Sequence, residues 1–484
     1  MKNKETCATS APNPSAIESI GQKNQPAYDT SKEIDIKQHA IYDEHLRPRK
    51  KVKKDGQTRL VDPARLPFSL QDIIVTRRVA FMNLGKVKLY AEPNTTEEER
   101  AFSLLTRLRD NNKLSYKESE VANILHRELQ AAKLWYSTDT DDSSHWGGYS
   151  SVKKDFKVRL LAPSKGDSLL PVFDSMGDLI YFARGYEVSK LDVTLASGEA
   201  GMTSGNDEKV RHLDVYSRDR LYRFQENAEA GGGTEGNWVL TETVELPYGK
   251  IPVIYYSREN PIWSNVQPLI ERLEVVISNL ADTNDYHASP TLVFKNVESA
   301  AAQDKGENGK AILMKGEHAD AKYVTWEQTV ESVELEIDTL TNAIYSLTQT
   351  PNISFEEMKS LGDLSGVAFD RVFIDAHLAS RREIEGGYGE LIQRDINLQK
   401  ALLASMDTSL SGALQSLSVT FEAPHFKLED LDADVDLASK AYSSGLISQE
   451  TAVGMTGLIT DAQEELERIR EEAKAGTRQK EDEQ

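Results

Sequence analysis

The spacing of apolar residues divides the chain into an N-terminal half that mixes helices with strands and a C-terminal half dominated by helices. From Leu70, the positions Ile73, Ile74, Val79, Ala80 and Met82 predict a helix, and Gly85 leads into Lys86–Tyr90, which alternates as a strand does. Two helical stretches follow, Glu97–Asn111 and Tyr116–Trp135, the second with Val121, Ile124, Leu125, Leu129, Ala132 and Leu134 on an approximate stripe. Between Phe156 and Tyr256 the texture is that of strands: Phe156–Leu161, Pro171–Phe173, Leu179–Tyr186, His212–Tyr216, Leu221–Phe224, Trp238–Glu245 and Ile251–Tyr256. Asp174–Asp178 reads as a hairpin loop and Ala230–Asn237 as a flexible one, so the region should form a mostly antiparallel sheet.

In the second half, Val266, Leu269, Ile270, Leu273, Val276, Ile277, Leu280 and Ala281 keep helical spacing without a gap. A short β-like insertion follows, from Pro290–Phe294 to Tyr323–Trp326, around a polar loop at Asp304–Lys310. Val330, Val333, Ile337, Leu340, Ile344 and Leu347 then repeat as a coiled-coil seam does, with Glu327, Glu331, Glu334 and Asp338 on another side. Pro351 stops that helix. Beyond the loop Asn352–Leu364 the chain is helical again to Ser405, and Gly386, Gly387 and Gly389 should bend it. A strand at Leu417–Phe421 precedes a helical unit from about Leu431. There Gly445 marks one helix end, Ser448 caps the next helix, and Thr460 with Gln463 forms a capping box for Asp461–Ala475.

The first 35 or so residues are polar and aperiodic, which predicts a mobile arm, and a basic cluster follows at Arg47, Arg49, Lys50, Lys51, Lys53 and Lys54. That cluster suits contact with DNA or an acidic partner, or simply a solvated linker. With 39% hydrophobic and 28% charged residues in 484, the chain can bury cores in several units, at roughly 100–200 residues each. The single cysteine, Cys7, excludes a disulfide framework or thiolate cage within one chain. No window approaches the ~20 apolar residues of a spanning helix, and the N-terminus lacks the apolar segment of a signal peptide, so no membrane partner is expected. The net charge of −21 argues against a protein that wraps nucleic acid, but an acidic wall suits a conduit along which DNA must slide.

Catalytic chemistry is hard to find. Gly249-Lys250 and Gly309-Lys310 lack the hydroxyl residue a phosphate-cradling loop requires, which argues against an ATP-driven motor. No HExxH, GxSxG or paired-cysteine pattern occurs. His39 and His45 are not spaced to share one helical face, so neither metal nor cofactor is expected. The abundant acids read as solvated faces, since none clusters with the His or Lys that two-metal nuclease chemistry recruits.

The order of elements resembles the portal proteins of tailed double-stranded DNA phages, in particular the siphophage type. Three strings carry the resemblance: Leu170–Phe173 with Leu179–Arg184, Leu246–Tyr256 after Asn237-Trp238, and Leu347–Ser354 leading to Leu364–Ala368. It covers about Leu66 to Gly476, and the glycines at 386, 387 and 389 depart from the family's straight third helix. The resemblance implies an α+β portal fold. Its parts would be an arm with the basic cluster (1–60), a β-rich wing (61–264), stem helices (265–288 and 328–350), a small β clip (289–327), a tunnel loop (351–364), a long wing helix and strand (365–430), a helical crown (431–476) and a disordered tail (477–484).

By the same resemblance the chain would form a dodecameric, non-enzymatic ring at one capsid vertex, the channel for packaging and ejecting DNA. Its partners would be the terminase large subunit, the major capsid and scaffolding proteins and the head-tail adaptor. It would assemble in the host cytoplasm and reside in the virion. Helices with apolar seams and acidic backs suit lateral packing around an axis. Site expectations are Ile353, Phe355, Met358, Lys359, Ser360 and Leu361 facing DNA in the tunnel loop, Glu331, Glu334 and Asp338 lining the channel, and Asp304, Lys305 and Lys310 docking the motor. The rival readings are another virion component, such as a tail or adaptor protein, and a packaging nuclease or ATPase.

Overall fold

The computed structural model describes residues 11–54, 57–139, 146, 154–189, 209–227, 238–287, 291–295, 299–304, 310–315, 320–324, 330–352, 371–424, 426, 431–456, 458 and 465–470. Two antiparallel sheets lie at its centre. One is a five-stranded meander in the order Trp238–Glu245, Arg220–Glu226, Lys209–Tyr216, Leu179–Ser189, Ser168–Phe173. The other has Gln130–Asp139 between Val253–Ser257 and Lys154–Leu161. The sheets meet through Ala132, Leu134, Leu161, Leu169, Phe182 and Tyr255.

Gln130–Asp139 corrects the sequence reading of one helix from Tyr116 to Trp135. The helix is Leu114–Glu128, and Leu129 ends it in the left-handed region at φ 62°. The strand escaped notice because it is buried on both faces, which erases the alternation a half-buried strand shows. Ala132 and Leu134 face the meander, while Ala131 and Trp135 face a helical layer on the opposite side. That layer holds Leu70–Met82, Thr96–Asn111, Leu114–Glu128 and Gly389–Met406, joined to Gln267–His287 and Val330–Leu347 in one continuous core.

The supposed mobile arm is also corrected. Pro14–Lys23 is a helix capped by Asn13, and its Ile17 packs on the outer face of the meander with Leu170, Val172 and Leu213. The approach is close enough to require glycine, since a Cβ on Gly21 would stand 2.6 Å from Leu170 Cβ. The basic cluster is not a linker: Lys50–Lys54 pairs antiparallel with Gln57–Val61.

Gln267–His287 and Val330–Leu347 pack against each other and are tied by an Arg272–Glu336 ion pair at 2.7 Å. Part of the apolar stripe of the first is covered by its own chain, with Val266, Ile270, Leu273 and Val276 buried and Leu269, Ile277, Leu280 and Ala281 half-buried. On the second, Ile344 is buried while Leu335 and Leu347 are exposed. The insertion between them contains nested hairpins: Thr291–Lys295 pairs with Asp320–Val324, and Ser299–Asp304 with Lys310–Lys315. The glycines bend the third long helix as expected, through a π turn at Ile384–Tyr388 with Gly386 outside helical geometry. Val419–Glu422 pairs with Lys88–Ala91, and Ser448 accepts from Thr451 N as the cap of Gln449–Met455. The proposed Thr460–Gln463 capping box lies outside the described residues.

Candidate functional site

The acids Glu331, Glu334 and Asp338 recur every three or four residues on Val330–Leu347, which sets them on one strip of that helix. All three are exposed, while Ile337, Leu340 and Ile344 on another side join the core. The helix therefore presents a carboxylate strip outward because its other face is fixed by packing. Asp304 and Lys310 are register partners at the end of the inner hairpin of the insertion. Lys305 and all six tunnel-loop residues, Ile353, Phe355, Met358, Lys359, Ser360 and Leu361, lie outside the described residues.

Both chain segments that border 353–370 are held by the same helix, Leu70–Met82. On the near side Arg77 Nη1 donates to the Pro351 carbonyl at 2.7 Å, with its guanidinium 5.0 Å from the Tyr345 ring centroid. Arg78 Nη2 donates to the Thr348 carbonyl at 2.6 Å, and Gln349 turns the chain at φ 51°. Arg78 thus satisfies a carbonyl at the end of Val330–Leu347, and Arg77 one in the turn that follows it. On the far side Phe81 meets Phe373 edge-on at 5.8 Å and His377 at 5.3 Å.

Behind Arg78 lies a partly buried charge network. Arg258 pairs with Glu383 at 2.5 Å and donates to His126 Nε2 at 3.3 Å. His126 Nδ1 donates to the Ala122 carbonyl at 2.7 Å, so the ring is the neutral tautomer. Burial, with Arg258 beside it, pushes the His126 pKa down to about 4. Burial also lowers the Arg78 pKa. Glu383 is half-buried, which alone would raise it, but Arg258 holds its carboxyl below the usual range.

A second network joins the sheet to the helical layer. Lys133 Nζ bonds Glu118 Oε1 at 2.5 Å and Asp395 Oδ2 at 3.2 Å, all three side chains fully buried. Trp135 Nε1 donates to Asp395 Oδ1 at 2.7 Å, and Tyr388 Oη donates to the Glu118 carbonyl at 2.9 Å. Burial alone would lower the Lys133 pKa; Asp395 and Glu118 instead hold it up at about 12. These ions are spent on one another, which suits a structural role.

The N-terminal segment straps the first stem-like helix along polar positions one turn apart. Glu274 accepts from His39 at 2.7 Å and from Phe68 N at 2.8 Å, and Ser278 Oγ accepts from Leu66 N at 3.0 Å. Asp282 takes Ala64 N at 2.8 Å, Lys50 at 2.8 Å and the Arg47 guanidinium. Part of the basic cluster is thus committed within the chain, and His39 engages Glu274 rather than His45. Sequence reasoning missed these groups, although Glu274, Ser278 and Asp282 interrupt the polar and apolar order of Gln267–His287 at a four-residue interval. Among the described residues no group of His, Cys, Asp and Glu could hold a metal, and no helix is long and apolar enough to cross a membrane.

Residues 48–479 match the phage portal protein family, SPP1 Gp6-like. Among curated proteins none matches significantly. Two solved structures of gene transfer agents align over 81% of this chain and 89% of theirs: the neck of an empty particle computed with C6 symmetry, at 10% identity and TM-score 0.36, and the virion of a native particle, at 11% and 0.33. Because the family match spans most of the chain, this protein belongs to the phage portal protein family, whose role in the virion is structural and not enzymatic.

Proposed function

We propose that the chain forms a dodecameric ring at one capsid vertex, through which double-stranded DNA is packaged and later ejected. In this reading Gln267–His287 and Val330–Leu347 are the stem, the nested hairpins between them are the clip, the two sheets with their helical layer form the wing, and the helices from Leu431 the crown. The clip docks the terminase large subunit, with Asp304, Lys305 and Lys310 as the docking residues. Scaffolding and major capsid proteins surround the ring, and the head-tail adaptor seats on it after packaging.

The outward strip of Glu331, Glu334 and Asp338 is the observation that carries the channel assignment. A wall of solvated carboxylates repels phosphates and lets DNA slide, whereas a basic wall would bind it through released counterions. The tunnel loop, 353–364, would reach toward DNA and offer Lys359 as a weak, salt-screened contact. The motor's fuel is consumed by its partner.

Electron microscopy of the purified protein tests the assembly: rings with a central hole are expected, and compact monomers would overturn it. Packaging assays test the sites. Lys359→Glu should leave rings intact and lower DNA retention at low salt, and deleting 300–310 should spare the ring and weaken terminase binding.

A further inference from the structure

A cleft of about 610 Å³ opens between the turn at Tyr248–Lys250 and the C-terminal half of Gly389–Met406, with Thr408 and Ser411 also on its wall. Two lysines, Lys250 and Lys400, are among the residues that line it. Lys400 Nζ donates to the Leu417 carbonyl at 2.7 Å, and Lys250 Nζ donates at 3.3 Å to the carbonyl of Asn397, one helical turn before Lys400. A third cation, Arg218, is fixed against the same turn through its Nε donation to the Gly249 carbonyl at 2.8 Å. No Asp or Glu is among the residues lining the cleft. The adjacent acid in sequence, Asp407, is turned to its own Ser409, whose N and Oγ it receives at 2.9 and 2.6 Å.

This arrangement differs from that of Lys133. The chain carries a net charge of −21, and its fully buried lysine, Lys133, is neutralised by Glu118 and Asp395. Here burial lowers the pKa of both lysines, and the neighbouring charges that add to the effect are cations, Arg218 for Lys250 and Lys250 for Lys400. Each ammonium has three donors and directs one to a carbonyl, so several remain for an acceptor with multiple oxygens. Partly desolvated cations held together without a counter-charge are stabilised by an anion that spans them.

We propose that this cleft binds a phosphate group, bridged between the Lys250 and Lys400 ammonium groups with the Thr408 and Ser411 hydroxyls beside it. A tetrahedral dianion offers several oxygens to the two ammonium groups and balances both charges. The volume falls within the range of small-ligand sites, so the phosphate can be free, carried on a nucleotide, or part of a DNA backbone crossing the cleft.

Equilibrium dialysis of the full-length protein with radiolabelled inorganic phosphate in chloride buffer tests this. Saturable binding is expected, weakened roughly tenfold or more by Lys250→Gln or Lys400→Gln and retained in Lys250→Arg. Lys250 lies on an exposed turn, so its variants report even if Lys400→Gln, which removes the bond to the Leu417 carbonyl, disturbs the fold. Phosphate should also protect both lysines from acetylation, read by mass spectrometry. Displacement of the labelled phosphate by a short DNA duplex, lost at high salt, identifies backbone phosphate as the ligand; binding that the duplex leaves untouched identifies free phosphate. Absence of saturable binding, or equal binding and acetylation in wild type and Lys250→Gln, overturns the proposal.

Discussion

Arg78 donates to the carbonyl of Thr348 at 2.6 Å across 270 residues of chain, and so ties the end of one long helix to the middle of another. Both the arginine and the threonine are buried, so the bond has no water to replace it. Arg78→Leu should therefore cost about 2–3 kcal/mol, the range for losing a charge-assisted bond and stranding its acceptor. Hydrogen exchange should quicken over Ile344–Asn352 and stay unchanged in the five-stranded meander. Equal protection of Ile344–Asn352 in variant and wild type would show that Arg78 does not hold this end of the helix.

His126 sets an acid limit on stability. Its folded pKa of about 4 lies below the 6.5 of an exposed histidine, so the unfolded chain takes up a proton first. The contribution is complete above pH 6.5 and is lost as pH falls to about 4, amounting to about 3 kcal/mol over that window. Denaturant unfolding at pH 7 and pH 4.5 should reveal this loss, and His126→Gln should flatten it. An unchanged pH slope in the variant would assign acid sensitivity to other groups.

His39 works in the opposite direction. The bond from Glu274 raises its pKa above 6.5 despite burial, so its contribution is full below pH 6.5 and disappears as pH rises through the raised value. Protection factors at the Leu66 and Phe68 amides, which donate to Ser278 and Glu274, should fall on the alkaline side. In His39→Gln they should be lower at neutral pH and flat with pH. A wild-type protein whose strap stays equally protected to pH 9 would contradict the assignment.

The elements that were legible in the sequence are those whose signal is local. The Val266–Ala281 stripe and the alternation along the meander are short-range patterns, and the structure has a helix and strands there. Gln130–Asp139 was misread because burial of both faces turns a strand into a continuous apolar run, Lys133 included. The strap was misread because its polar composition suggested mobility, while its order comes from Glu274 and Asp282, more than 200 residues away in the chain. Of the site, the acidic strip could be read from its helical spacing. Arg77, Arg78 and the Lys250–Lys400 cleft could not, since each depends on which distant carbonyls the fold brings within reach.

Lys133 should be the most sensitive single position in the sheet. Lys133→Met leaves Glu118 and Asp395 buried without their cation, which should cost about 3–5 kcal/mol. Asp395→Asn keeps an acceptor for Trp135 Nε1 and one carboxylate for the lysine, so its cost should be smaller. Urea titration of the two variants gives the order; a milder effect from Lys133→Met than from Asp395→Asn would mean the network relaxes or admits water.

The acidic strip gives the prediction closest to function. Glu331, Glu334 and Asp338 are exposed in the chain, so changing them together to Gln, Gln and Asn should move folding stability by no more than about 0.5 kcal/mol. If they line a channel, the substituted ring loses repulsion at every subunit and should hold a DNA duplex more tightly at low salt. The gain should fade toward 1 M salt, where charges interact only over about 3 Å. Fluorescence anisotropy of a labelled duplex against salt concentration separates this from the competing arrangement, in which the three acids pair with cations of adjacent subunits. In that case the variant rings would dissociate more readily on dilution, and DNA affinity would stay at the wild-type value at every salt concentration. Tighter DNA binding with intact rings assigns the strip to the lumen; weakened rings with unchanged DNA binding assign it to the subunit interface.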